Sequence, residues 1–333
     1  MAMIKACQIT PYSRPLPPAI RGPRQVAQRF GWHVRIETET GVLGWGDIAP
    51  WTGFGEHLSD LSSTVGALSK SLPGMEIPDL DSVRTALQGL QLTGVLAHGV
   101  ELALLDVISK QGGRNLAETL CSEPSLLIPI HSLVEGAADA MRAVNSGVTT
   151  LKVKVGAEVE DDLARVRDVR SVAPQARLRL DANGRWSRME ALGFAKGLAE
   201  LGDTILEQPV EASDLAAFAW LRDRVDVRLA ADESVLCSPD EVLGDPNVQE
   251  LVLKPMFLGG LLPTLELAQR AVRLGKSVCV THALESEVGR LGAQAVAAGL
   301  SSDGVHGVCL EGQLITDGAI GVSRVSGLGW VSS

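Results

Sequence analysis

Residues 151–180 of the chain read LKVKVGAEVEDDLARVRDVRSVAPQARLRL. This stretch begins with an aliphatic run at 151–155 and ends with a second run at 178–180. The residues between them, 158–172, are long enough to form one helix. Two strands joined by a helix form a crossover unit, which makes the strands parallel neighbours in one sheet. The stretch therefore predicts an α/β fold.

Runs of the same kind recur through the rest of the chain. Eight short β-branched or aliphatic runs lie at residues 127–130, 151–155, 178–180, 204–206, 227–229, 251–253, 278–280 and 308–310. Helix-length segments separate them, including 264–274, which follows Pro263, a residue suited to a helix start. Eight strand–helix units close a (β/α)₈ barrel. The short repeat predicts a trimmed barrel without a full last helix, from which the final residues return to the first part of the chain.

The first third of the chain has a different pattern, typical of a small α+β unit. Residues 32–37 alternate apolar and polar side chains, which indicates a half-buried strand. A turn at Thr40-Gly41 and a second run at 42–45 predict a hairpin, to which residues 3–10 can add a strand. From about residue 57 to 111 the spacing becomes helical. We therefore predict a first domain at 1–120, joined by residues 313–333, and a barrel domain at 121–312.

Composition restricts the classes of function. The 333 residues carry a formal net charge of −10 and are 45% hydrophobic, an ordinary balance for a globular protein. An acidic surface disfavours nucleic acid and anionic membranes as partners, and no apolar stretch approaches the ~20 residues needed to span a bilayer. The five cysteines lack zinc-ligand or redox spacing, which predicts reduced thiols in a cytoplasmic protein. We expect a small-molecule carboxylate as partner, in a monomer or homo-oligomer.

Charged side chains lie at the ends of five successive predicted strands. They are Lys152 and Lys154, Asp181 with Asn183, Glu207, Asp232 and Lys254. From Lys154 to Lys254 the successive steps are 22 to 27 residues, each about one strand–helix repeat. Active sites of barrels lie at the carboxyl ends of their strands. These side chains are therefore expected to converge on one rim.

The residue types indicate the chemistry at this rim. Three converging carboxylates repel one another unless a cation lies between them, and an oxygen-only ligand set suits Mg²⁺ or Mn²⁺. Such a metal can bind a substrate carboxylate and stabilise the charge formed when the neighbouring proton leaves. The cations expected around Lys154 favour its unprotonated form, which a base needs. The prediction is metal-assisted proton abstraction by Lys154, with Lys152 and Lys254 beside the metal.

Single residues of this set allow other interpretations. A lone acid at a strand end is often a helix cap or a solvated residue, and Lys152 with Lys154 is compatible with a wet strand face. Glu233 is compatible with two roles: it can contact the metal ligands from behind, or it can begin a helix. His282, near the end of the seventh run, is interpreted as a structural residue rather than a base. The shared repeat, and not any one residue, supports the site.

These motifs resemble those of the enolase superfamily, in its muconate-lactonizing subgroup, over almost the whole chain. The motifs that carry the resemblance are Lys152-Val153-Lys154, Asp181-Ala182-Asn183, Glu207-Gln208-Pro209, Asp232-Glu233-Ser234 and Lys254-Pro255, preceded by a helix at 99–113. The resemblance implies an α/β fold, a TIM-like (β/α)₇β barrel with an N-terminal α+β capping domain. It implies that Mg²⁺ (or Mn²⁺) is bound by Asp181, Glu207 and Asp232.

The cap loops of that family choose the substrate, and here they correspond to residues 20–24 and 51–56. Arg21, Gly53 and Phe54 are the expected substrate contacts in these loops. Arg21 or Arg24 can reach a distal carboxylate, although a surface role for either is equally open.

Within the subgroup the chain most resembles the o-succinylbenzoate synthase family, because it is short, has a compact cap and carries Leu284-Glu285-Ser286 after the seventh run. This implies dehydration of 2-succinyl-6-hydroxy-2,4-cyclohexadiene-1-carboxylate to 2-succinylbenzoate, a lyase reaction of menaquinone biosynthesis. Lys154 would remove the proton and assist hydroxide departure, and Lys254 would stabilise charge on the opposite face. Asn183 and Glu285 are expected to contact the substrate, and Ser286 to bind its succinyl carboxylate.

The alternative is a racemase or epimerase of N-succinylamino acids or dipeptides, which would use the same two lysines. Met256, Phe257 and Leu258 follow Lys254-Pro255 where the racemases commonly carry an arginine. Residues 306–312 lack the Asp-x-Asp pattern of dipeptide epimerases. A third possibility, a barrel without catalysis, is disfavoured because every polar position of the constellation is intact.

Overall fold

A computed structural model describes residues 3–16, 27–51, 58–300, 304–310 and 312–329, without the side chains of 58–60. Within these ranges no helix is both long and apolar enough to cross a membrane. The predicted cap-loop contacts Arg21, Arg24, Gly53 and Phe54 lie outside the described residues.

The N-terminal region contains a three-stranded antiparallel sheet, here called the cap sheet. Its strands are β1 (Ile4–Pro15), β2 (Gln28–Thr38) and β3 (Leu43–Ile48), in the order β1-β2-β3. Gly41 closes the β2–β3 turn at a φ of 81°, a left-handed conformation that glycine adopts without steric cost. The predicted hairpin is confirmed, and the first strand extends five residues beyond the predicted end.

Four helices follow the cap sheet. They are α1 (Leu58–Ser71), α2 (Leu80–Gly89), α3 (Gly94–Gln111) and α4 (Leu116–Leu120). Helix α3 packs directly on β3, and a Cβ added at Gly46 would lie 1.9 Å from the carbonyl oxygen of Gly99. Since real Cβ atoms do not approach so closely, the sheet and helix meet here only because Gly46 has no side chain. The helical pattern predicted for residues 57–111 is confirmed.

Seven parallel strands form the central sheet, in sequential order around a curled surface. They are β5 (His131–Val134), β6 (Thr150–Lys154), β7 (Arg177–Asp181), β8 (Thr204–Glu207), β9 (Arg228–Ala231), β10 (Glu250–Leu253) and β11 (Ser277–Val280). Alternate side chains point into the barrel, where Ile205, Ala230, Val252 and Cys279 form a small apolar cluster of their own.

The first and last predicted barrel strands were placed incorrectly. Residues 127–129 form β4 (Leu127–Pro129), which pairs with a C-terminal hairpin and not with the barrel, so the first barrel strand begins at His131. In place of an eighth strand at 308–310, His306 and Gly307 make single parallel bridges to Ile130 and Thr281. These bridges join the two ends of the seven-stranded sheet and close it in the manner of the predicted (β/α)₇β barrel.

Helices lie outside the barrel between its strands. They are α5 (Ala137–Asn145), α6 (Val159–Val172), α7 (Arg188–Gly197), α8 (Ala216–Arg222), α9 (Glu233–Cys237), α10 (Pro239–Gly244), α11 (Leu261–Arg273) and α12 (Glu287–Gly299). The prediction for residues 158–172 is confirmed, with Glu158 as the cap residue. Helix α11 begins at Leu261, before Pro263, so the helix start predicted at the proline is wrong by about one turn.

The C-terminal residues run between the two regions. Strands β12 (Ile315–Thr316) and β13 (Ala319–Gly321) form the hairpin that pairs with β4. Further on, the amide of Leu328 donates to Asp106 of α3 at 2.7 Å. These contacts agree with a C-terminal segment that returns to the first domain, while the boundaries at residues 1–120, 121–312 and 313–333 stay predictions.

Candidate active site

Five neighbouring strands place the predicted site residues at one rim of the barrel. In the sheet register Lys154 lies beside Asp181, and Asp181 lies beside Glu207. Asp232 directly follows β9, and Lys254 directly follows β10. Side chains two residues apart share a strand face, so the residues predicted from the sequence spacing lie together inside the rim.

The three carboxylates form a buried triad. Asp181 and Glu207 are fully buried and Asp232 is 2% exposed, and one oxygen from each lies within 4.8 Å of the others. Burial, together with the charge of the neighbouring Glu233, raises the pKa of Asp232 to about 7. An oxygen-only donor set of this size fits Mg²⁺ or Mn²⁺. The residues present therefore suit the metal that the sequence predicts.

Lys152 is the buried cation of the site. Its Nζ lies 2.8 Å from Asp181 Oδ2 and 2.8 Å from Glu207 Oε1. Burial alone would lower the pKa of Lys152, but the charges of Asp181 and Glu207 outweigh it and raise the pKa. Burial would raise the pKa of Asp181, but the positive charges of Lys152 and Lys154 outweigh it and hold this pKa well below the usual range. Lys152 is thus a fixed positive charge rather than a base.

Lys154 and Lys254 approach the triad from its two ends. Lys154 Nζ donates to Asp181 Oδ2 at 2.6 Å and to Asn183 Oδ1 at 2.7 Å, and nearly half of its side chain is exposed. Lys254 is buried and forms an ion pair with Asp232. Burial would lower the pKa of Lys254, but Asp232 outweighs it and raises the pKa. Two amines therefore flank the triad, one open to solvent and one enclosed.

Glu233 begins a helix, one of the two interpretations that the sequence left open, and it also contacts a residue of the site. It is the first residue of α9, and its Oε1 accepts a hydrogen bond from Asn183 Nδ2 at 3.1 Å. Asn183, held at a φ of 48°, links Glu233 to Lys154 through its amide. Glu233 therefore contacts the asparagine that binds the exposed amine, and its role as a partner behind the metal ligands stays a prediction.

Two supporting residues were missed by the sequence reasoning. Arg179 lies two residues before Asp181 on β7. It donates to Glu207 Oε2 at 2.9 Å and forms an ion pair with Glu250. The signal was present, because Arg179 and Glu250 occupy inward positions of β7 and β10 by the same alternation that predicted the lysines. Buried ionic groups need such partners, and here the pairing fixes the orientation of the Glu207 carboxylate.

Gln208 was also missed, although it lies within a quoted motif. Its side chain is fully buried, and its Oε1 accepts from the amides of Asp232 at 3.0 Å and Ser234 at 3.1 Å. Its Nε2 donates to the hydroxyl of Ser234 at 2.7 Å. The glutamine thus ties the end of β8 to the end of β9 and places Asp232 beside Glu207.

The predicted substrate contacts after β11 are occupied by protein groups. The hydroxyl of Ser286 donates to Asp47 Oδ2 at 2.6 Å, and Glu285 accepts from the amide of Ala283 at 2.5 Å. Since a serine hydroxyl has one proton to donate, a substrate carboxylate would have to displace Asp47 to bind there. The role of Ser286 stays a prediction.

His282 occupies a half-buried position in the same loop. Burial, with the charge of Arg290, lowers its pKa to about 3. The ring therefore stays neutral, and its Nδ1 accepts from the amide of Leu284 at 3.2 Å. This arrangement agrees with the predicted structural role.

A family of known proteins shares this fold and sequence pattern. Residues 135–330 match the model of the family described as enolase C-terminal domain-like. The chain belongs to this family, within the enolase superfamily of muconate-lactonizing and related enzymes.

Particular relatives have two different activities. The chain is 31% identical to the L-Ala-D/L-Glu epimerase of Bacillus subtilis (strain 168), over 77% of this chain and 74% of the epimerase. It is 30% identical to the o-succinylbenzoate synthase of Enterobacter sp. (strain 638), over 86% and 84% of the two chains. A solved structure of a substrate-liganded complex of the Bacillus subtilis epimerase superposes with a TM-score of 0.86, at 27% identity over 98% of both chains.

Proposed function

We propose that the protein is an o-succinylbenzoate synthase, which dehydrates 2-succinyl-6-hydroxy-2,4-cyclohexadiene-1-carboxylate in menaquinone biosynthesis. The two amines that flank the triad support proton abstraction of the enolase type. The observation that carries the choice of the synthase is the apolar segment Met256, Phe257 and Leu258 after Lys254-Pro255. The resemblance to the Enterobacter synthase over most of both chains supports it.

The chemistry follows from the positions of the lysines. Lys154, in its neutral form, removes the proton next to the ring carboxylate, and the C–H electrons form the new ring double bond as the C–O bond breaks. The protonated Lys154 then gives its proton to the departing hydroxide, so water leaves and the lysine is neutral again. When bound, the metal would neutralise charge on the substrate carboxylate, and Lys152 and Lys254 would add fixed positive charge.

The segments beside the site support the synthase over the alternatives. A dipeptide carries an ammonium group that requires an anionic partner, and residues 306–312 lack the Asp-x-Asp pattern of dipeptide epimerases. Met256, Phe257 and Leu258 follow Lys254-Pro255, where the racemases commonly carry an arginine. The lack of this arginine supports the synthase over a racemase.

Dipeptide epimerase is the second candidate, favoured by the 31% identity to the Bacillus subtilis enzyme. It would use Lys154 and Lys254 as paired acid and base on the two faces of one carbon. The residue set alone does not separate the two reactions, and only substrates do.

The test is incubation of the purified protein with the cyclohexadiene carboxylate and Mg²⁺, with and without a chelator, while the diene absorbance is followed. Chelator-sensitive loss of absorbance is expected. A parallel incubation with L-Ala-L-Glu and with N-succinylamino acids in D₂O measures exchange at the α-carbon. Exchange with inversion, without turnover of the diene, would replace the synthase by an isomerase. Lys154→Ala is expected to abolish the turnover, and Lys196→Ala, on the exposed face of α7, is its matched control.

A further inference from the structure

The loop after β11, residues 281–286, is held from outside the barrel. Asp47 of β3 is fully buried, and its Oδ2 accepts from the amide of Ser286 at 2.9 Å and from its hydroxyl at 2.6 Å. Its Oδ1 accepts from the hydroxyl of Tyr12, on β1, at 2.9 Å. Buried carboxylates with several donors hold their partners firmly, because breaking any one contact leaves an uncompensated charge. One aspartate of the cap sheet thus fixes the last residue of this loop.

Two arginines of the cap sheet reach the same loop. Arg14 on β1 donates to the carbonyl oxygen of Glu285 at 2.7 Å. Arg29 on β2 is 2% exposed and donates through Nε to the carbonyl oxygen of Ala283 at 3.2 Å. Each of the three cap strands therefore provides one charged side chain to residues 283–286.

Arg29 also joins this loop to the chain after β3. Its guanidinium donates to the carbonyl oxygens of Ala49 and Pro50 and lies 4.7 Å above the ring of Trp51. A guanidinium is suited to this task because its donors are held in a rigid plane. The Arg29 guanidinium thus fixes both the residues that follow β3 and the loop that follows β11.

The backbone of the loop needs such support. Leu284 has a φ of 62°, in the left-handed region that a bulky residue rarely adopts. Strained conformations of this kind persist only where the surrounding contacts determine them. The contacts on either side of Leu284 come from the cap sheet, through Arg29 at Ala283 and Arg14 at Glu285.

We propose that Arg14, Arg29 and Asp47 are positioning residues that fix the conformation of residues 281–286 from the cap sheet and thereby set the affinity of the site for its substrate. The loop leaves the carboxyl end of a barrel strand, the rim at which the triad lies. The anchoring stands on the contacts alone, whereas its effect on the substrate rests on the proposed function.

The test compares Asp47→Asn and Arg14→Gln with wild type and with Arg35→Gln. Arg35 is a matched control, since it lies on β2 and pairs with Glu37 of the cap sheet. Loss of an anchor is expected to speed hydrogen–deuterium exchange of the amides at 283–289 by about tenfold or more, while strands β6 to β8 keep their protection. The KM for the cyclohexadiene carboxylate is expected to rise by about tenfold while kcat changes by less than about threefold, the pattern of lost uniform binding.

Unchanged exchange at 283–289 in both variants would overturn the anchoring. Faster exchange with an unchanged KM would overturn its effect on the substrate. If wild type does not turn over the diene, the proposed function fails, but the exchange experiment needs no substrate and still decides the anchoring. If circular dichroism shows that Asp47→Asn is unfolded, Arg14→Gln decides, because Arg14 is only partly buried.

Discussion

The lysines of the site differ in what their surroundings allow them to do. Lys152 is enclosed by two carboxylates, which raise its pKa, and this keeps it charged. Lys154 shares only one of these carboxylates and remains half exposed, so a substrate can reach its amine. Lys254 is buried beside Asp232, with a raised pKa, and suits a fixed cation. The side-chain environments therefore support the proposal that Lys154 is the base and that the other two lysines have electrostatic roles.

Replacing Asp232 by asparagine is expected to abolish turnover while leaving the fold intact, since one charged metal ligand is lost. Mg²⁺ affinity, measured by calorimetry, is expected to fall by at least about tenfold. Asp240→Asn, on the exposed side of α10, is the matched control. Wild-type turnover in Asp232→Asn would remove this residue from the metal shell.

Replacing Lys254 by alanine is expected to reduce kcat by about two orders of magnitude or more, because a cation that stabilises developing charge is removed. Mg²⁺ binding is expected to remain, since the triad keeps all of its carboxylates. Steady-state kinetics and calorimetry check both expectations, beside the exposed control Lys196→Ala. A loss of only a few-fold would make Lys254 peripheral.

Helix α3 connects the cap sheet to the barrel. Most of its residues are buried, and it packs on β3 through Gly46 on one side. On another side Glu101, 1% exposed, accepts from the amides of Leu261 and Leu262, the latter at 3.3 Å. These amides are the unpaired donors at the start of α11, so a cap helix completes the end of a barrel helix.

The Glu101 contact predicts a pH dependence of stability. Burial raises the pKa of Glu101 from 4.5 to about 8, so between these pH values the folded state keeps a proton that the unfolded state has lost. The free energy of unfolding therefore decreases as the pH rises from about 4.5 to about 8, by at most about 1.4 kcal/mol per pH unit. Urea unfolding of the metal-free protein at several pH values measures this slope.

Glu101→Gln is the matched variant, because its neutral amide imitates the protonated acid. It is expected to weaken the decrease of stability with pH and to be at least as stable as wild type near pH 8. An identical slope in wild type and Glu101→Gln would assign the dependence to other groups.

At the scale of the whole molecule, the metal site joins separate repeats of the barrel. Asp181, Glu207 and Asp232 come from or directly follow β7, β8 and β9, and no two of them belong to one strand–helix unit. In the unfolded chain these residues are far apart, so the complete ligand set exists only in the folded protein. Metal binding is therefore coupled to the stability of the barrel.

Mg²⁺ is accordingly expected to raise the melting temperature reversibly. At a free concentration of one hundred times Kd the gain is about 2.7 kcal/mol. Thermal unfolding with Mg²⁺, and again after a chelator is added, measures it. Asp232→Asn is expected to lose most of the shift and Asp240→Asn to keep it. An equal shift in both variants would show that Mg²⁺ binds elsewhere.

The alternation of side chains and the strand–helix repeat were sufficient to predict the barrel and the triad. Both are local properties of the chain, since a strand exposes every second residue to one face and parallel strands end at one rim. Lys154, Asp181 and Glu207 could therefore be assigned to one site from spacing alone. The same alternation also places Arg179 on the inward face of its strand. Its role could not be predicted, however, because the sequence does not show which carboxylates pair with a buried arginine.

Other features were decided only by tertiary structure. Residues 127–130 have the pattern of a barrel strand, yet β4 pairs with residues 319–321 because the choice of partner is not encoded in the alternation. The contact of Asp47 with Ser286 joins residues 239 positions apart, and that of Glu101 with Leu261 joins residues 160 apart. Such contacts depend on how the cap packs on the barrel. The sequence by itself determined the periodic framework and the candidate ligand set. Pairing between distant elements was decided by tertiary structure, because only close packing brings buried donors and acceptors together.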